Sequence, residues 1–228
     1  MRISQGKALL LRLMTDTSLK NKYDSIIFDL DGTLWDSTAN VAIAWQAAKQ
    51  EVDYIQIDID QAVVRSITGL TYKTIFEKLF PYLDEKQREE FKAIAAKKEL
   101  EILNERGGQL YPELEETLKY LQVNYKLFLV SNCQNGYAET FFNHSNLKEY
   151  FLGYQCYGTK SLPKWDNIRD IVNDFNLQAP VYVGDTQADY EATVKAGVPF
   201  IFAAYGFGKV EQGMVATVNS FAELREIL

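Results

Sequence analysis

The chain has 228 residues, two cysteines and a formal net charge of −7. Its length allows one or two domains at roughly 100–200 residues each, and its acidic balance argues against a nucleic acid partner because phosphate backbones attract basic surfaces. Cys133 and Cys156 are too few for a disulfide framework and lack metal-ligand spacing, so we expect a reducing, cytoplasmic setting.

The first feature along the chain is a short apolar stretch at residues 8–14, which Arg12 interrupts. About 20 apolar residues are needed to cross a bilayer, so we expect no membrane-spanning segment here. Two interpretations stay open. Residues 8–14 form a short amphipathic extension, or translation of the native protein begins at Met14 and residues 1–13 are not part of it.

An apolar run at residues 26–28 is followed directly by the sequence D-L-D-G-T-L at 29–34. Its β-branched and aromatic residues are typical of a strand buried at the centre of a parallel sheet. Asp29 and Asp31 would then lie at the carboxyl edge of the sheet, where ligands bind in open α/β folds, and Gly32 permits a sharp turn. One carboxylate there could accept a phosphoryl group and the other could transfer a proton.

Helical signals dominate residues 37–108. We predict helices from about residue 37 to 48 and at 61–67, 71–80 and 84–106, with Pro81 and the pair Gly107-Gly108 as stops. About seventy residues are too many for a simple crossover between two strands, which predicts an inserted helical unit with a hinge at the two glycines. Residues 65–70 are its candidate specificity segment, in which Arg65 either meets an anionic group or forms surface salt bridges.

Two further buried strands are predicted at 126–130 and 181–183. The first ends in Ser131 and Asn132, where a hydroxyl and a free backbone amide could hold a phosphate oxygen. The second delivers Asp185 to the same edge of the sheet, and Asp189 follows near the start of a helix. Oxygen ligands from two different strands are typical of Mg²⁺ sites.

Together these stretches resemble motifs I, II and IV of the haloacid dehalogenase-like hydrolase superfamily, in its phosphoglycolate phosphatase-like type with a helical C1 cap. The resemblance covers the chain from about residue 23 to 228. It implies an α/β fold: a Rossmann-like core with a mostly parallel sheet, residues 1–36 and 109–228, and an inserted helical cap, residues 37–108.

The resemblance also implies roles for the acidic residues. Asp29 would be the nucleophile and Asp31 the general acid and base. Mg²⁺ would be bound by Asp29, the backbone carbonyl of Asp31, and Asp185. Asp189 would lie close to these ligands without binding the metal directly.

A lysine completes the family's site, and residues 158–168 offer two. Lys160, with Pro163 three residues later, is similar to one family form, although Ser161 replaces the proline expected beside the lysine. Lys164 opens a predicted helix, as in the other form. We favour Lys164 as the catalytic and phosphate-binding lysine, because a side chain anchored on a packed helix end loses less entropy on ordering than one in a loop.

The sequence therefore predicts a Mg²⁺-dependent phosphomonoester hydrolase that acts on a small phosphorylated metabolite through an aspartyl-phosphate. Its predicted catalytic residues are Asp29, Asp31 and Lys164, its predicted substrate-binding residues Ser131, Asn132 and Lys164, and its predicted metal ligands Asp29, Asp31 and Asp185. The expected partner is a small phosphate ester, with neither nucleic acid nor membrane, and the expected state is a monomer or weak dimer.

Three alternatives remain. A dehalogenase of the same superfamily uses only the first carboxylate and has no need of Asp31. A phosphosugar mutase shares the cap and the motifs. A catalytically idle module would use Mg²⁺ and phosphate only to change shape.

Overall fold

The fold is described from a computed structural model of the chain, for residues 19–228. The two interpretations of residues 1–14, and the part of the predicted core before residue 19, lie outside the described residues.

A six-stranded sheet forms the centre of the molecule, and all of its neighbouring strands are parallel. The strands of the described chain are β1 (Ser25–Phe28), β2 (Trp35–Asp36), β3 (Gln109–Leu110), β4 (Lys126–Ser131), β5 (Gly153–Cys156), β6 (Pro180–Gly184), β7 (Phe200–Ala203) and β8 (Ala216–Val218). The sheet order is β5-β4-β1-β6-β7-β8. After β1, the chain adds β4 and β5 on one side of it and then β6, β7 and β8 on the other side. This confirms the predicted α/β class with a mostly parallel, Rossmann-like sheet.

Strand β1 is buried on both faces. Ile26 and Phe28 belong to one hydrophobic cluster, while Ile27 packs in a second cluster with Phe128 and Tyr182. All five side chains have no solvent exposure. Since successive side chains of a strand point to opposite faces, the sheet separates the two clusters. The residue after β1 therefore lies at the middle of the sheet's carboxyl edge.

Helices cover the sheet and fill the long connection after β2. In the described chain they are α1 (Thr38–Lys49), α2 (Gln61–Arg65), α3 (Tyr72–Leu79), α4 (Glu85–Arg106), α5 (Leu114–Leu121), α6 (Tyr137–Ser145), α7 (Tyr157–Lys160), α8 (Lys164–Asp174), α9 (Gln187–Ala196) and α10 (Leu224–Ile227). None of these helices has both the length and the apolar composition to cross a bilayer.

Helices α1, α3 and α4 meet at a cluster of aromatic rings. The rings of Trp45, Tyr72, Phe76 and Phe91 lie in contact, with centroid distances of 5.4–6.0 Å. Asp84 opens α4 with a capping box, since its side chain accepts a hydrogen bond from the backbone N–H of Gln87 and the Gln87 side chain accepts one in return. These aromatic rings belong to the same hydrophobic cluster as Ile26 and Phe28 of β1, so the helices share a continuous core with that face of the sheet.

The two segments that link these helices to the sheet run side by side as the antiparallel pair β2 and β3. Trp35 faces Leu110 and Asp36 faces Gln109. The sequence predicts a hinge here but neither β2 nor β3, because a two-residue strand has no pattern of its own and depends on a partner far along the chain. We propose that this pair marks the boundary between the core, residues 1–36 and 109–228, and the cap, residues 37–108.

Other differences lie in elements that depend on distant contacts. The sequence analysis did not predict the edge strands β5 and β8, which lack a long apolar run. Helix α5 begins at Leu114, directly after Glu113, which adopts a left-handed conformation with φ of 58°. Helix α2 ends at Arg65, two residues earlier than predicted.

Candidate active site

The carboxyl ends of β1, β4 and β6 meet at one edge of the sheet. Asp29 follows β1, Ser131 ends β4 and Asp185 follows β6, and these three strands are direct neighbours. The backbone N–H of Asp29 donates to the carbonyl of Val183 at 2.9 Å, which extends the β1–β6 pairing by one residue. In open α/β sheets ligands bind at such an edge, where the strand order reverses.

Lys164 joins two carboxylates at this edge. Its Nζ lies 2.7 Å from Asp29 Oδ1 and 2.6 Å from Asp189 Oδ1, and all three side chains are at most 3% exposed. Burial acts to lower the pKa of Lys164, but Asp189 and Asp29 outweigh it and hold the pKa well above its ordinary value. Lys164 is the first residue of α8, after Pro163 at the N-cap, so a packed helix end fixes its position.

The other candidate lysine lies elsewhere. Lys160 is 40% exposed and pairs with Asp170 at 2.7 Å. The sequence predicts a loop position for Lys160. In the structure it is instead the last residue of the short helix α7. Of the two lysines, only Lys164 contacts the carboxylates at the carboxyl edge of the sheet, Asp29 and Asp189.

Asp189 is held by a capping box at the start of α9. Its Oδ2 accepts from the Thr186 hydroxyl at 2.6 Å and from the Thr186 backbone N–H at 3.0 Å. Its Oδ1 is bound by Lys164, so both oxygens have donors. That Asp189 lies outside the direct metal ligands stays a prediction.

The third carboxylate, Asp185, has an unused oxygen. Oδ2 accepts the backbone N–H of Phe207 at 2.7 Å, while the buried Oδ1 has no hydrogen-bond partner among the described residues. One oxygen each from Asp29, Asp185 and Asp189 lie within 4.8 Å of one another. Gly32 makes this packing possible, since a Cβ there would come 2.2 Å from Asp185 Oδ2.

This crowding of carboxylates fits a cation. Burial and the neighbouring charges of Asp189 and Asp29 raise the pKa of Asp185 well above its ordinary value. Burial and Asp189 likewise raise the pKa of Asp29, although Lys164 opposes them. A hard divalent cation would relieve the repulsion and use the free oxygen, and carboxylate oxygens are the ligands that Mg²⁺ prefers.

Asp31 is bound on one oxygen by three donors. Trp35 Nε1 at 2.9 Å, Ser37 Oγ at 2.7 Å and Tyr137 OH at 2.8 Å all donate to Oδ1. Burial raises the pKa of Asp31 above its ordinary value, and the three hydrogen bonds only partly counter it. A proton on this carboxyl group would therefore sit on Oδ2.

Ser131 and Asn132, the predicted phosphate-binding pair, occupy different positions. Ser131 is buried and lines a cavity beside Asp29. The Asn132 amide instead donates to the backbone carbonyl of Gly69 in the cap at 2.8 Å. Gly69 has φ of +86°, a conformation that favours glycine.

A cavity of about 70 Å³ lies between these residues and the cap. One water needs only about 10–15 Å³ of such volume, so a small ligand group can enter. We call it the cap cavity, and its polar lining includes Asp29, Asp31, Ser37, Glu99, Ser131 and Asn132. Its apolar wall includes Val41, Val64, Ile67, Leu70 and Ile75. Four residues of the candidate specificity segment, 67–70, line it, but Arg65 does not.

Arg65 forms the surface salt bridge that was one of its two predicted roles. Its Nη2 lies 2.6 Å from Asp36 Oδ2, and its guanidinium lies over the Phe207 ring, 5.6 Å from the centroid.

Sequence analysis missed Glu99 and Tyr137. Glu99 interrupts a buried stripe on α4 formed by Phe91, Ala95 and Leu103, at a four-residue spacing. A charged residue in such a stripe is a signal that the sequence contained. No comparable signal marks Tyr137, which reaches Asp31 from 106 residues away.

Comparisons with known proteins agree with this geometry. The model of a family described as haloacid dehalogenase-like hydrolase matches residues 26–203. The chain is 30% identical to a phosphoglycolate phosphatase of Aquifex aeolicus, over 81% of this chain and 86% of the relative, and 27% identical to one of Aliivibrio fischeri, over 82% and 86%.

Solved structures show the same fold. A predicted phosphatase from Clostridium acetobutylicum superposes with a TM-score of 0.75 at 25% identity, covering 90% of this chain and 97% of the other. CbbY from Rhodobacter sphaeroides, solved in complex with phosphate, superposes with a TM-score of 0.74 at 16% identity, covering 89% and 96%.

Proposed function

We propose that this chain, which belongs to the haloacid dehalogenase-like hydrolase family, is a Mg²⁺-dependent phosphatase that hydrolyses small phosphate monoesters through an aspartyl-phosphate on Asp29. The observation that supports this most is the buried contact of Lys164 with Asp29 beside the unpaired oxygen of Asp185. In that arrangement the proposed nucleophile would lie beside a fixed positive charge and a free ligand oxygen. The relatives named as phosphatases support the same class of reaction.

Asp29, Asp185 and the backbone carbonyl of Asp31 are the proposed Mg²⁺ ligands. When bound, Mg²⁺ neutralises phosphate charge and stabilises the charge that develops in the transition state. Lys164 adds a positive charge that is already in position, because its two carboxylate partners and the start of α8 hold it.

Asp29 is the proposed nucleophile. In the first step its carboxylate forms a bond to phosphorus, and the bond from phosphorus to the leaving alcohol oxygen breaks. Asp31 donates the proton on Oδ2 to that oxygen. In the second step Asp31 takes a proton from water, which attacks the aspartyl-phosphate and releases inorganic phosphate and free Asp29. Trp35, Ser37 and Tyr137 keep Asp31 oriented through both steps.

The direct test is hydrolysis of p-nitrophenyl phosphate by the full chain. We expect turnover with Mg²⁺ and turnover at background level with excess EDTA, restored when Mg²⁺ is added back. Mg²⁺ should also raise the melting temperature, because it relieves the repulsion among buried carboxylates. Equal turnover with and without EDTA would contradict the proposed metal dependence, and absence of turnover on a panel of phosphomonoesters with Mg²⁺ would favour the idle-module alternative.

The role of Asp31 gives a second prediction. Asp31→Asn keeps the shape and the hydrogen-bond acceptor but removes the transferable proton, and general acid–base catalysis is worth about 10²–10⁴-fold. We expect a loss of that size for an alkyl phosphate and a much smaller loss for p-nitrophenyl phosphate, whose leaving group needs no proton. The measurement is kcat/KM for both substrates in both proteins, because kcat/KM reports the first step alone, whereas the second step is the same for both substrates. Equal losses in kcat/KM would exclude Asp31 as the general acid. A dehalogenase would tolerate the change.

A further inference from the structure

The cap cavity has an unusual charge balance for an enzyme that binds phosphate esters. Besides Asp29 and Asp31 it is lined by a third carboxylate, Glu99, and none of its described lining residues is a lysine, arginine or histidine. Lys164 provides positive charge where the phosphate would bind, but its ammonium group is already paired with both Asp29 and Asp189. Arg65 in the cap is bound to Asp36, and neither residue lines the cavity.

Glu99 is rigidly placed. It is 4% exposed, and its Oε2 accepts from Trp45 Nε1 at 2.7 Å and from Tyr72 OH at 2.6 Å. Its Oε1 accepts from Gln134 Nε2 at 3.1 Å. A carboxylate can accept about four hydrogen bonds, so capacity for one further donor remains on Oε1. Burial raises the pKa of Glu99 to about 7, while the three donors act to lower it.

A second acceptor in the cap cavity is also unused. Asn132 lines the cavity, and its buried Oδ1 has no partner in the described chain. Its orientation is set by the bond from Nδ2 to the Gly69 carbonyl, which leaves the oxygen as the free group. A buried acceptor without a partner is costly, so Asn132 favours a ligand that brings a donor, and Glu99 can accept a further hydrogen bond from the same ligand.

Resting on the proposed phosphatase function, we infer that the cap cavity selects phosphate esters whose leaving alcohol carries a hydrogen-bond donor without negative charge, an ammonium best and a hydroxyl next, and rejects those that carry a carboxylate. The donor binds Glu99, and the apolar wall and the rings of Trp45 and Tyr72 contact the carbon chain. A carboxylate in this cavity would meet like charge, with no lysine, arginine or histidine among the described lining residues to compensate it, which strongly disfavours binding. The relatives named phosphoglycolate phosphatases act on an ester of the disfavoured kind.

Three esters of the same length test this inference. 2-Aminoethyl phosphate, 2-hydroxyethyl phosphate and phosphoglycolate each have two carbons; the second carbon bears an ammonium in the first, a hydroxyl in the second, and is the carboxylate carbon in the third. With Mg²⁺ we expect kcat/KM to fall in that order, with at least about a 100-fold difference between the first and the last, mainly in KM. That ratio corresponds to about 2.7 kcal/mol.

The Glu99→Gln variant tests whether the charge of Glu99 is the source of the selectivity. Glutamine keeps the size and one acceptor oxygen but removes the charge, so we expect activity on 2-aminoethyl phosphate to fall about tenfold and activity on phosphoglycolate to rise. A purely structural role would lower all three activities alike. Glu101→Gln is the matched control, because it makes the same change on the exposed side of α4 and should leave the order unchanged.

The outcomes separate the two proposals. If p-nitrophenyl phosphate is hydrolysed with Mg²⁺ but phosphoglycolate is the best of the three esters, the inference is wrong and the proposed function stands. If neither p-nitrophenyl phosphate nor any of the three is hydrolysed, the proposed function fails and the inference fails with it. If Glu99→Gln does not fold, the order of kcat/KM for the three esters in the unchanged protein still decides whether the inference is right.

Discussion

Replacement of Asp29 by asparagine is expected to reduce hydrolysis of p-nitrophenyl phosphate to the background rate. An amide is a poor nucleophile and cannot form the acyl phosphate, so the two-step route is lost. Loss of a covalent nucleophile costs on the order of 10⁶-fold in an enzyme whose residues act as a unit. Measuring kcat beside a preparation of the unchanged protein, with Mg²⁺ in excess, gives the result directly.

The same variant should remain folded. Asparagine has the shape of aspartate, and Lys164 retains its contact with Asp189. Because burial and Asp189 disfavour the charged form of Asp29, its removal should leave the melting temperature without metal unchanged or higher, and the Mg²⁺-dependent increase should become smaller. A folded Asp29→Asn protein that still turns over at a rate near that of the unchanged protein would refute the aspartyl-phosphate proposal.

Lys164→Met is expected to cost about 10²–10³-fold in kcat, the scale of losing one fixed electrostatic contact to the transition state. Methionine keeps an apolar stem in the buried position but leaves Asp29 and Asp189 without their shared cation. Breaking a buried ion pair costs about 3–5 kcal/mol, so the melting temperature should fall as well. The activity assay should be run at a temperature well below the melting temperature of the variant, and circular dichroism should confirm that the variant is folded.

Lys160→Met is the matched control. Lys160 forms an exposed pair with Asp170, and such pairs contribute about 0–1 kcal/mol. Its replacement should therefore change neither kcat nor the melting temperature appreciably. The opposite ranking of the two variants would transfer the catalytic role to Lys160, which the geometry does not support.

Lys164→Arg separates charge from position. Arginine keeps the positive charge between Asp29 and Asp189, so stability should be largely retained, but its planar fork places that charge differently. We expect kcat between those of Lys164→Met and the unchanged protein. If Lys164→Arg were as inactive as Lys164→Met while fully stable, position and not charge alone would be the requirement.

The features that the sequence predicted well are local ones. Buried strands at 26–28, 126–130 and 181–183 were recognisable because each is a short apolar run followed by a polar turn, and parallel strands place their carboxyl ends together. Helix α4 was recognisable from Asp84 at its N-cap and the glycines after its end. The contacts of Asp29 with Lys164 could be anticipated only through the resemblance to a family, since 135 residues separate them.

By itself the sequence determined the α/β class, the acidic strand ends and the stretch of helices, because hydrophobic periodicity, caps and turns depend on neighbouring residues. Only the tertiary structure decided which lysine meets Asp29, that Tyr137 binds Asp31, and that Glu99 faces a cavity without a described cation. These contacts join residues far apart in the chain, and their geometry follows from how the cap packs on the core. Selectivity, unlike fold class, therefore depends on charges that the chain brings together only when it folds.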